Sequence, residues 1–82
     1  EAVDLTATEY ELLCVLALDA GRVVTYETLL RRVWNGRDGA DAHLVRIFVR
    51  TLRRKLGEDA ANPTWIFNER GVGYRMAAPG EE

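Results

Sequence analysis

Basic side chains are concentrated in one segment of the chain, residues 42 to 57, which contains four arginines, one lysine and no acidic residue. At helical spacing, one face of this segment carries His43, Arg46, Ile47, Arg50 and Arg54, with Thr51 and Arg53 on its flanks. A solvated helix face normally mixes charges, because acid–base pairs four residues apart stabilise it. Arginine can bind guanine O6 and N7 together in the major groove of DNA, and an exposed isoleucine suits a thymine methyl group. The face therefore predicts contact with double-stranded DNA, and a plain solvated basic helix is the alternative that periodicity leaves open.

The element that must position these side chains is a helix from about Asp41 to Leu56. Asp41 is a favourable N-cap, and Gly57 is a typical residue at a helix C-terminus. The opposite face carries apolar residues at the spacing i, i+3, i+4, i+7 and i+11, which predicts that they belong to the core: Val45, Phe48, Val49, Leu52 and Leu56.

Two further helices are predicted before this segment. Thr6 and Glu9 are spaced as a capping box, which predicts the start of a first helix that ends near Gly21. The predicted apolar stripe of this helix consists of Tyr10, Leu13, Leu16 and Ala17. Thr25 is the predicted cap of a second, shorter helix, which ends at an Asn-Gly pair and whose apolar side carries Leu29, Leu30, Val33 and Trp34. The residues 22 to 25 between the two helices are predicted to be a short extended link.

The last part of the chain predicts a β-hairpin. Two runs rich in aromatic and β-branched residues, Trp65 to Asn68 and Tyr74 to Met76, flank a turn that contains glycines. Arg70 lies in this turn, where a wing would bring it to a minor groove or to a phosphate. Three helices followed by a hairpin predict an α+β fold, the winged helix-turn-helix, with a three-helix core and a C-terminal β-hairpin wing.

Composition limits the other classes of function. The 82 residues suffice for one domain, predicted to span residues 1–82, with an ordinary globular composition of 48% hydrophobic and 29% charged residues. No apolar run is long enough to span a membrane and no signal peptide opens the chain, so we expect a cytoplasmic protein, which the single Cys14 also indicates. With one histidine, one cysteine and no serine, neither a zinc site nor a nucleophile–base–acid set can be assembled. No cofactor and no enzymatic activity are therefore expected.

The net charge of −2 is compatible with nucleic-acid binding because opposite charges are separated along the chain. Residues 1 to 21 carry five acidic and no basic residues, whereas residues 42 to 57 carry five basic and no acidic ones. Binding to phosphates depends on the local potential and not on the total charge. A winged helix that acts as a protein-interaction module is the second hypothesis, because a fold does not determine function. The acidic first helix is a candidate surface for a protein partner under either hypothesis.

Four stretches of the chain, in order and in register, resemble the DNA-binding effector domain of OmpR/PhoB-type response regulators. They are Leu5 to Leu13, Arg22 to Trp34, Val45 to Leu56 and Arg70 to Arg75, and together they span about residues 5 to 76. The run from Leu44 to Val49, with a later Arg-Lys-Leu, also resembles the KdpE branch of that family, which controls a potassium-uptake operon.

The resemblance implies an arrangement that the residues alone do not. In this family a sensor kinase phosphorylates a receiver domain, which is absent from this chain, and paired effector domains bind direct-repeat half-sites in promoters to regulate transcription initiation. The chain is therefore expected to be one domain excised from a two-domain regulator, monomeric in isolation and dimeric on DNA. The loop 35–40 corresponds to a segment that contacts RNA polymerase in relatives. The family's domain begins with an antiparallel sheet, of which only the final strand, near Ala2 to Leu5, is expected here.

The resemblance also assigns roles to individual positions. Base-contacting positions fall on Arg46, Ile47, Arg50 and Thr51, and positions that contact the DNA backbone fall on Trp34, His43, Arg53, Arg54 and Tyr74. The wing positions are Asn68 and Arg70. Relatives often carry an acidic residue, a histidine and an arginine where this chain has Arg46, Phe48 and Thr51, so the base preference is not carried over. Alternatives stay open for Trp34 and Tyr74 as core aromatics, and for His43 as a solvated residue.

Overall fold

Each of the three helices begins at the capping residue that the sequence predicts. In the computed structural model, which describes residues 3–80, helix α1 spans Ala7–Leu18, helix α2 spans Tyr26–Trp34 and helix α3 spans Ala42–Leu56. The N-caps Thr6, Thr25 and Asp41 each accept a hydrogen bond from a backbone N–H in the first turn. Gly57 ends α3 at φ 77°, a left-handed conformation that glycine adopts without strain. Within residues 3–80, no helix is long and apolar enough to cross a bilayer.

The predicted hairpin is present and forms part of a three-stranded antiparallel sheet. Strand β1 spans Val23–Thr25, β2 spans Ile66–Glu69 and β3 spans Gly73–Met76, in the order β1-β3-β2. The segment expected to be an extended link is thus an edge strand, in which Val24 pairs with Tyr74. The close approach of β1 depends on Gly73, because a Cβ at this position would collide with the Val24 carbonyl oxygen.

The core lies between the three helices and the inner face of the sheet. Its fully buried side chains come from four elements and include Leu12, Leu16, Leu29, Val45, Val49, Leu52 and Ile66. The predicted core face of α3 is confirmed: Val45, Val49 and Leu52 are buried, and Phe48 and Leu56 pack against them.

The predicted apolar stripe of α1 is wrong at two positions. Tyr10 is 61% exposed and Ala17 is exposed, while the buried apolar residues are Leu12, Val15 and Leu16. The apolar residues of α1 surround almost its whole circumference, so their spacing does not select a face. The helix also ends at Leu18 and not near Gly21, whose N–H donates to the Met76 carbonyl oxygen (2.8 Å) and links the turn to the sheet.

The strand expected near Ala2 to Leu5 is not formed by Val3 to Leu5, and Ala2 lies outside the described residues. The backbone here is held by a side chain instead. The Lys55 ammonium donates to the Asp4 carbonyl oxygen (3.1 Å) and to the Glu9 carboxylate (2.7 Å). The Lys55 side chain thus connects the end of α3 to the start of α1.

Candidate nucleic-acid interface

The predicted DNA-facing side chains of α3 share one solvent-facing surface. His43, Arg46, Arg50 and Arg54 are exposed, Ile47 is 44% exposed and Thr51 is half-buried. We call these six residues the α3 face. No acidic side chain lies on α3, so the potential over this surface is positive despite the net charge of the chain.

A groove of about 380 Å³ runs beside this surface, between α3 and the chain that follows it. It is lined by four arginines, one glutamate and one alanine: Arg46, Arg50, Arg53, Arg54, Glu58 and Ala60. The Glu58 carboxylate is directed inward, with a side chain only 1% exposed. The acidic group of the groove is bonded to internal partners, so its exposed charged residues are Arg46, Arg50 and Arg54.

Arg53 requires a correction, because it was expected on the outer flank of α3 as a contact to the DNA backbone. Its side chain is only 9% exposed. Its Nη2 atom donates to the Ile66 carbonyl oxygen (2.6 Å) and to the Asn68 side-chain oxygen (2.8 Å). The hairpin packs over this part of α3, so the guanidinium joins α3 to β2. We therefore assign Arg53 to the fold and not to the DNA-facing surface.

Glu58 completes this connection and was not singled out from the sequence. Its carboxylate accepts backbone hydrogen bonds from Thr64 (3.2 Å), Trp65 (2.7 Å) and Ile66 (2.8 Å), and it lies 3.7 Å from the Arg53 Nε atom. Among the described residues, that Nε is the one buried side-chain polar atom without a hydrogen bond. The only sequence signal for Glu58 is an acidic residue directly after a helix-ending glycine. Its partners lie six to eight residues further along the chain.

The wing is held against the rest of the domain at its turn. The Val72 N–H donates to the Glu69 carbonyl oxygen (2.8 Å), and the Val72 carbonyl oxygen accepts from the Tyr26 N–H (3.0 Å). Arg70 is exposed in this turn, next to Gly71 at φ 74°. Asn68 is also exposed, although its side-chain oxygen is occupied by Arg53.

Trp34 and Tyr74 are both buried, with 5% and 4% exposure, and belong to the hydrophobic core. Trp34 packs edge-to-face on Phe48 with ring centroids 5.2 Å apart. Burial raises the pKa of Tyr74 to about 12, with the neighbouring Tyr26 side chain as the second cause, so its phenol is protonated at neutral pH. The core-aromatic alternative accounts for the placement of both rings, and their contact with the DNA backbone stays a prediction.

Tyr26 is the residue of this region that the sequence reasoning missed. Its ring packs edge-to-face on Tyr74 with centroids 5.7 Å apart, and the Arg46 guanidinium carbon lies 5.4 Å from its centroid. The sequence shows only an aromatic residue directly after the N-cap of the second helix, and its contact with α3 is a property of the fold.

Elsewhere, Cys14 is a free, half-buried cysteine. Among residues 3–80, no three His, Cys, Asp or Glu side chains are grouped as they would be around a metal ion.

Comparisons with known proteins agree with this geometry. Residues 1–76 match the family described as "Transcriptional regulatory protein, C terminal". The chain is 42% identical over 79 residues to the DNA-binding response regulator MtrA of Mycobacterium tuberculosis. This match covers 96% of this chain and 35% of that protein. It is 43% identical over 76 residues to the KDP operon transcriptional regulatory protein KdpE of Escherichia coli, covering 93% of this chain and 34% of that protein. The chain thus spans about a third of the length of these curated relatives.

Solved structures show the same architecture. The DNA-binding domain of Klebsiella pneumoniae RstA, crystallised with the RstA box, superposes with a TM-score of 0.82 and 33% identity over 94% of this chain and 76% of that chain. The Thermotoga maritima OmpR/PhoB homologue DrrB superposes with a TM-score of 0.81 and 33% identity over 92% of this chain and 34% of that chain.

Proposed function

The chain belongs to the family of OmpR/PhoB-type C-terminal DNA-binding domains, and from this premise we propose how this member binds its DNA. The domain is a winged-helix, non-enzymatic DNA-binding effector domain of a two-component transcriptional regulator. The observation that carries the docking proposal is the exposed, acid-free face of α3 beside an exposed arginine at the turn of the wing.

We propose that α3 lies in the major groove of double-stranded DNA. An α-helix with its side chains is about 10–12 Å wide and the groove about 12 Å wide, so the helix fits with one face against the bases. The proposed base contacts are Arg46, Ile47, Arg50 and Thr51. His43 and Arg54, at the two ends of the α3 face, are proposed to contact phosphates, which position a protein on the duplex without reading its sequence.

We further propose that the wing contacts the adjacent minor groove or backbone through Arg70, with Asn68 beside it. A backbone hydrogen bond from the first residue of α2 to Val72 connects the wing turn to the helical part of the domain. Trp34 and Tyr74, both buried, are proposed as contacts to the DNA backbone from the family resemblance alone.

The arrangement of the whole regulator is proposed from the relatives, since the chain spans only about a third of their length. We propose that residues 1–82 act as the effector domain of a longer cytoplasmic protein whose receiver domain is phosphorylated by a sensor kinase. Two effector domains would then bind direct-repeat half-sites, with the exposed loop 35–40 facing RNA polymerase. The KdpE-like run in α3 supports a regulator of that branch.

The second hypothesis is a winged helix that binds a protein, for which the acidic first helix is a candidate surface. Glu9 is buried and paired with Lys55 and does not contribute to such a surface, whereas Glu11 is exposed.

Salt-dependent DNA binding tests the proposal. A preferred site would first be selected from a pool of random duplexes, and its affinity measured by fluorescence anisotropy at several salt concentrations. If the domain neutralises several phosphates, the logarithm of the binding constant should fall linearly with the logarithm of the salt concentration, with a slope of about −0.9 per phosphate contacted. A flat response, or no site enriched by selection, would refute the proposal.

A pair of arginine variants makes the test specific to the interface. Arg70→Ala should weaken binding similarly across sequences and lower the salt slope by about one. Arg32→Ala is the matched control, because Arg32 is a half-exposed arginine that already pairs with Asp19 (3.5 Å). Equal losses in the two variants would contradict the proposed position of the wing.

A further inference from the structure

A continuous set of aromatic and guanidinium contacts connects the DNA-facing surface of α3 to the core beneath the wing. The Arg46 guanidinium lies over the ring of Tyr26 at 5.4 Å, and Tyr26 packs edge-to-face on Tyr74 with centroids 5.7 Å apart. The Arg53 guanidinium lies over the ring of Tyr74, 5.8 Å from its centroid. Of these four side chains only Arg46 is exposed.

The position of the Tyr26 ring is restrained by its backbone and by one aromatic neighbour. Its backbone lies in the first turn of α2, after the N-cap Thr25, and its N–H donates to the wing-turn carbonyl oxygen of Val72 (3.0 Å). Its side chain is half-buried against Tyr74, which is itself buried. The restrained backbone and the packing on Tyr74 limit where the ring can lie, and so give a neighbouring side chain an ordered aromatic surface.

Arg46 by itself has no comparable restraint. It is exposed on α3, and neither a hydrogen bond nor an ion pair of its guanidinium is found within the part of the chain that the structure describes. A free arginine has several rotatable bonds and loses side-chain entropy when it is ordered on a partner. A flat aromatic ring below the guanidinium restricts these rotamers in advance and still leaves the N–H edge free to donate.

We infer that Tyr26 is a positioning residue for Arg46, which it holds by its ring so that the guanidinium edge is directed at one base pair. The inference rests on the proposed docking of α3 and adds a specificity-determining residue outside α3. Tyr26 acts through Arg46 and not by a contact of its own with DNA.

The size of the effect follows from the contact. Cation–π contacts at exposed sites are worth about two- to five-fold in an equilibrium constant. This contribution should appear only at the base pair that Arg46 reads, because the other members of the α3 face do not lie on the Tyr26 ring.

The test compares base discrimination in Tyr26→Leu, Tyr26→Phe, Arg46→Ala and the double variant Tyr26→Leu/Arg46→Ala. Anisotropy titrations against the selected site and its single-base-pair variants give ratios of affinities. Such a ratio compares two DNAs on the same protein sample, so a lower folded fraction in Tyr26→Leu cancels. Arg50→Ala provides the control, since it should relax a different base pair.

We expect Arg46→Ala to abolish preference at its own base pair, and Tyr26→Leu to reduce the preference at that base pair about two- to five-fold. Tyr26→Phe, which keeps the ring, should discriminate as the unmodified protein does. Adding Tyr26→Leu to Arg46→Ala should change nothing further, and the base pair relaxed by Arg50→Ala should be unaffected by Tyr26→Leu.

Three results would overturn the inference. Equal losses in Tyr26→Phe and Tyr26→Leu would assign the effect to the hydroxyl group. A uniform loss over all base pairs, or a loss that persists without Arg46, would show that Tyr26 does not act through Arg46. Absence of any preferred site for the unmodified protein would instead refute the proposed function, and the inference with it.

Discussion

The carboxylate of Glu58 connects the end of α3 to the start of β2, and its removal should be one of the most damaging single changes in the domain. It accepts three backbone hydrogen bonds, from Thr64, Trp65 and Ile66, and lies beside the buried guanidinium of Arg53. The side chain is 1% exposed, so the carboxylate is shielded from water in the folded domain.

The magnitude follows from which of these partners stay buried. In Glu58→Ala, Thr64 and Trp65 are exposed, so water can satisfy their N–H groups at little cost. Ile66 is buried, and an unsatisfied buried N–H costs about 1–3 kcal/mol. Removing one partner of a buried ion pair costs about 3–5 kcal/mol, although Arg53 keeps its two other hydrogen bonds. We therefore expect a loss of about 3–4 kcal/mol in the free energy of unfolding.

Urea titration followed by circular dichroism measures this loss. A domain of this size has a total stability of roughly 4–12 kcal/mol, so the variant should remain at least partly folded in water. With a slope near 1 kcal/mol per molar urea, the midpoint should fall by about 3 M. Glu58→Gln keeps the size of the side chain but only one acceptor oxygen. Its urea midpoint should therefore lie between those of Glu58→Ala and the unmodified protein.

Glu69→Ala is the matched control, because the Glu69 carboxylate also pairs with an arginine of the hairpin, Arg75 (3.3 Å), but is 36% exposed. Exposed ion pairs contribute about 0–1 kcal/mol. If Glu58→Ala and Glu69→Ala had the same urea midpoint, burial of the Glu58 partners would not determine the loss of stability. The same conclusion would follow if Glu58→Gln were less stable than Glu58→Ala.

Three further predictions concern the Lys55–Glu9 ion pair, the sheet and the DNA-facing surface. Lys55→Gln should raise the pKa of Glu9, which the Lys55 hydrogen bond chiefly holds below 4.5. A lowered carboxyl pKa stabilises the fold above pH 4.5, and this contribution is lost as the pH falls through the pKa of Glu9 in the folded protein. Urea midpoints should therefore decrease less on acidification in Lys55→Gln than in the unmodified protein. An unchanged pH profile would contradict this. Gly73→Ala should lower the free energy of unfolding by about 3 kcal/mol in urea titrations, because a Cβ there collides with a β1 carbonyl. Gly71→Ala, in open space at φ 74°, should lower it by about 1 kcal/mol. Equal losses in the two variants would contradict the collision. Arg50→Ala should weaken binding to the preferred site by about 1–3 kcal/mol and relax one base pair in anisotropy titrations, and unchanged affinity would remove it from the interface.

The elements that the sequence predicts well are those with local signals. A cap and the N–H groups it satisfies lie within three residues, as at Thr6 and Asp41, and the period of an amphipathic helix is complete within seven. The bounds and the core face of α3 were therefore readable from the residues. The apolar residues of α1 carry no such period, and the prediction of its buried face was wrong for that reason.

The missed features depend on contacts between distant parts of the chain. Strand β1 has only three residues, and its partner β3 lies about fifty positions later, where Gly73 permits the approach. The Arg46–Tyr26 contact likewise joins two helices at a distance that no local pattern encodes.

The sequence by itself determined that an acid-free, basic helix face would lie between Asp41 and Gly57, because charge and apolarity alternate there with the period of a helix. The tertiary structure decided which of its cations remain free. Lys55 is bound to Glu9, 46 positions away, and Arg53 is bound to the hairpin, while the α3 face keeps the others exposed. The periodicity of a sequence describes one helix at a time. Which cations of that helix are paired depends on the acceptors that other elements place beside them in the folded domain.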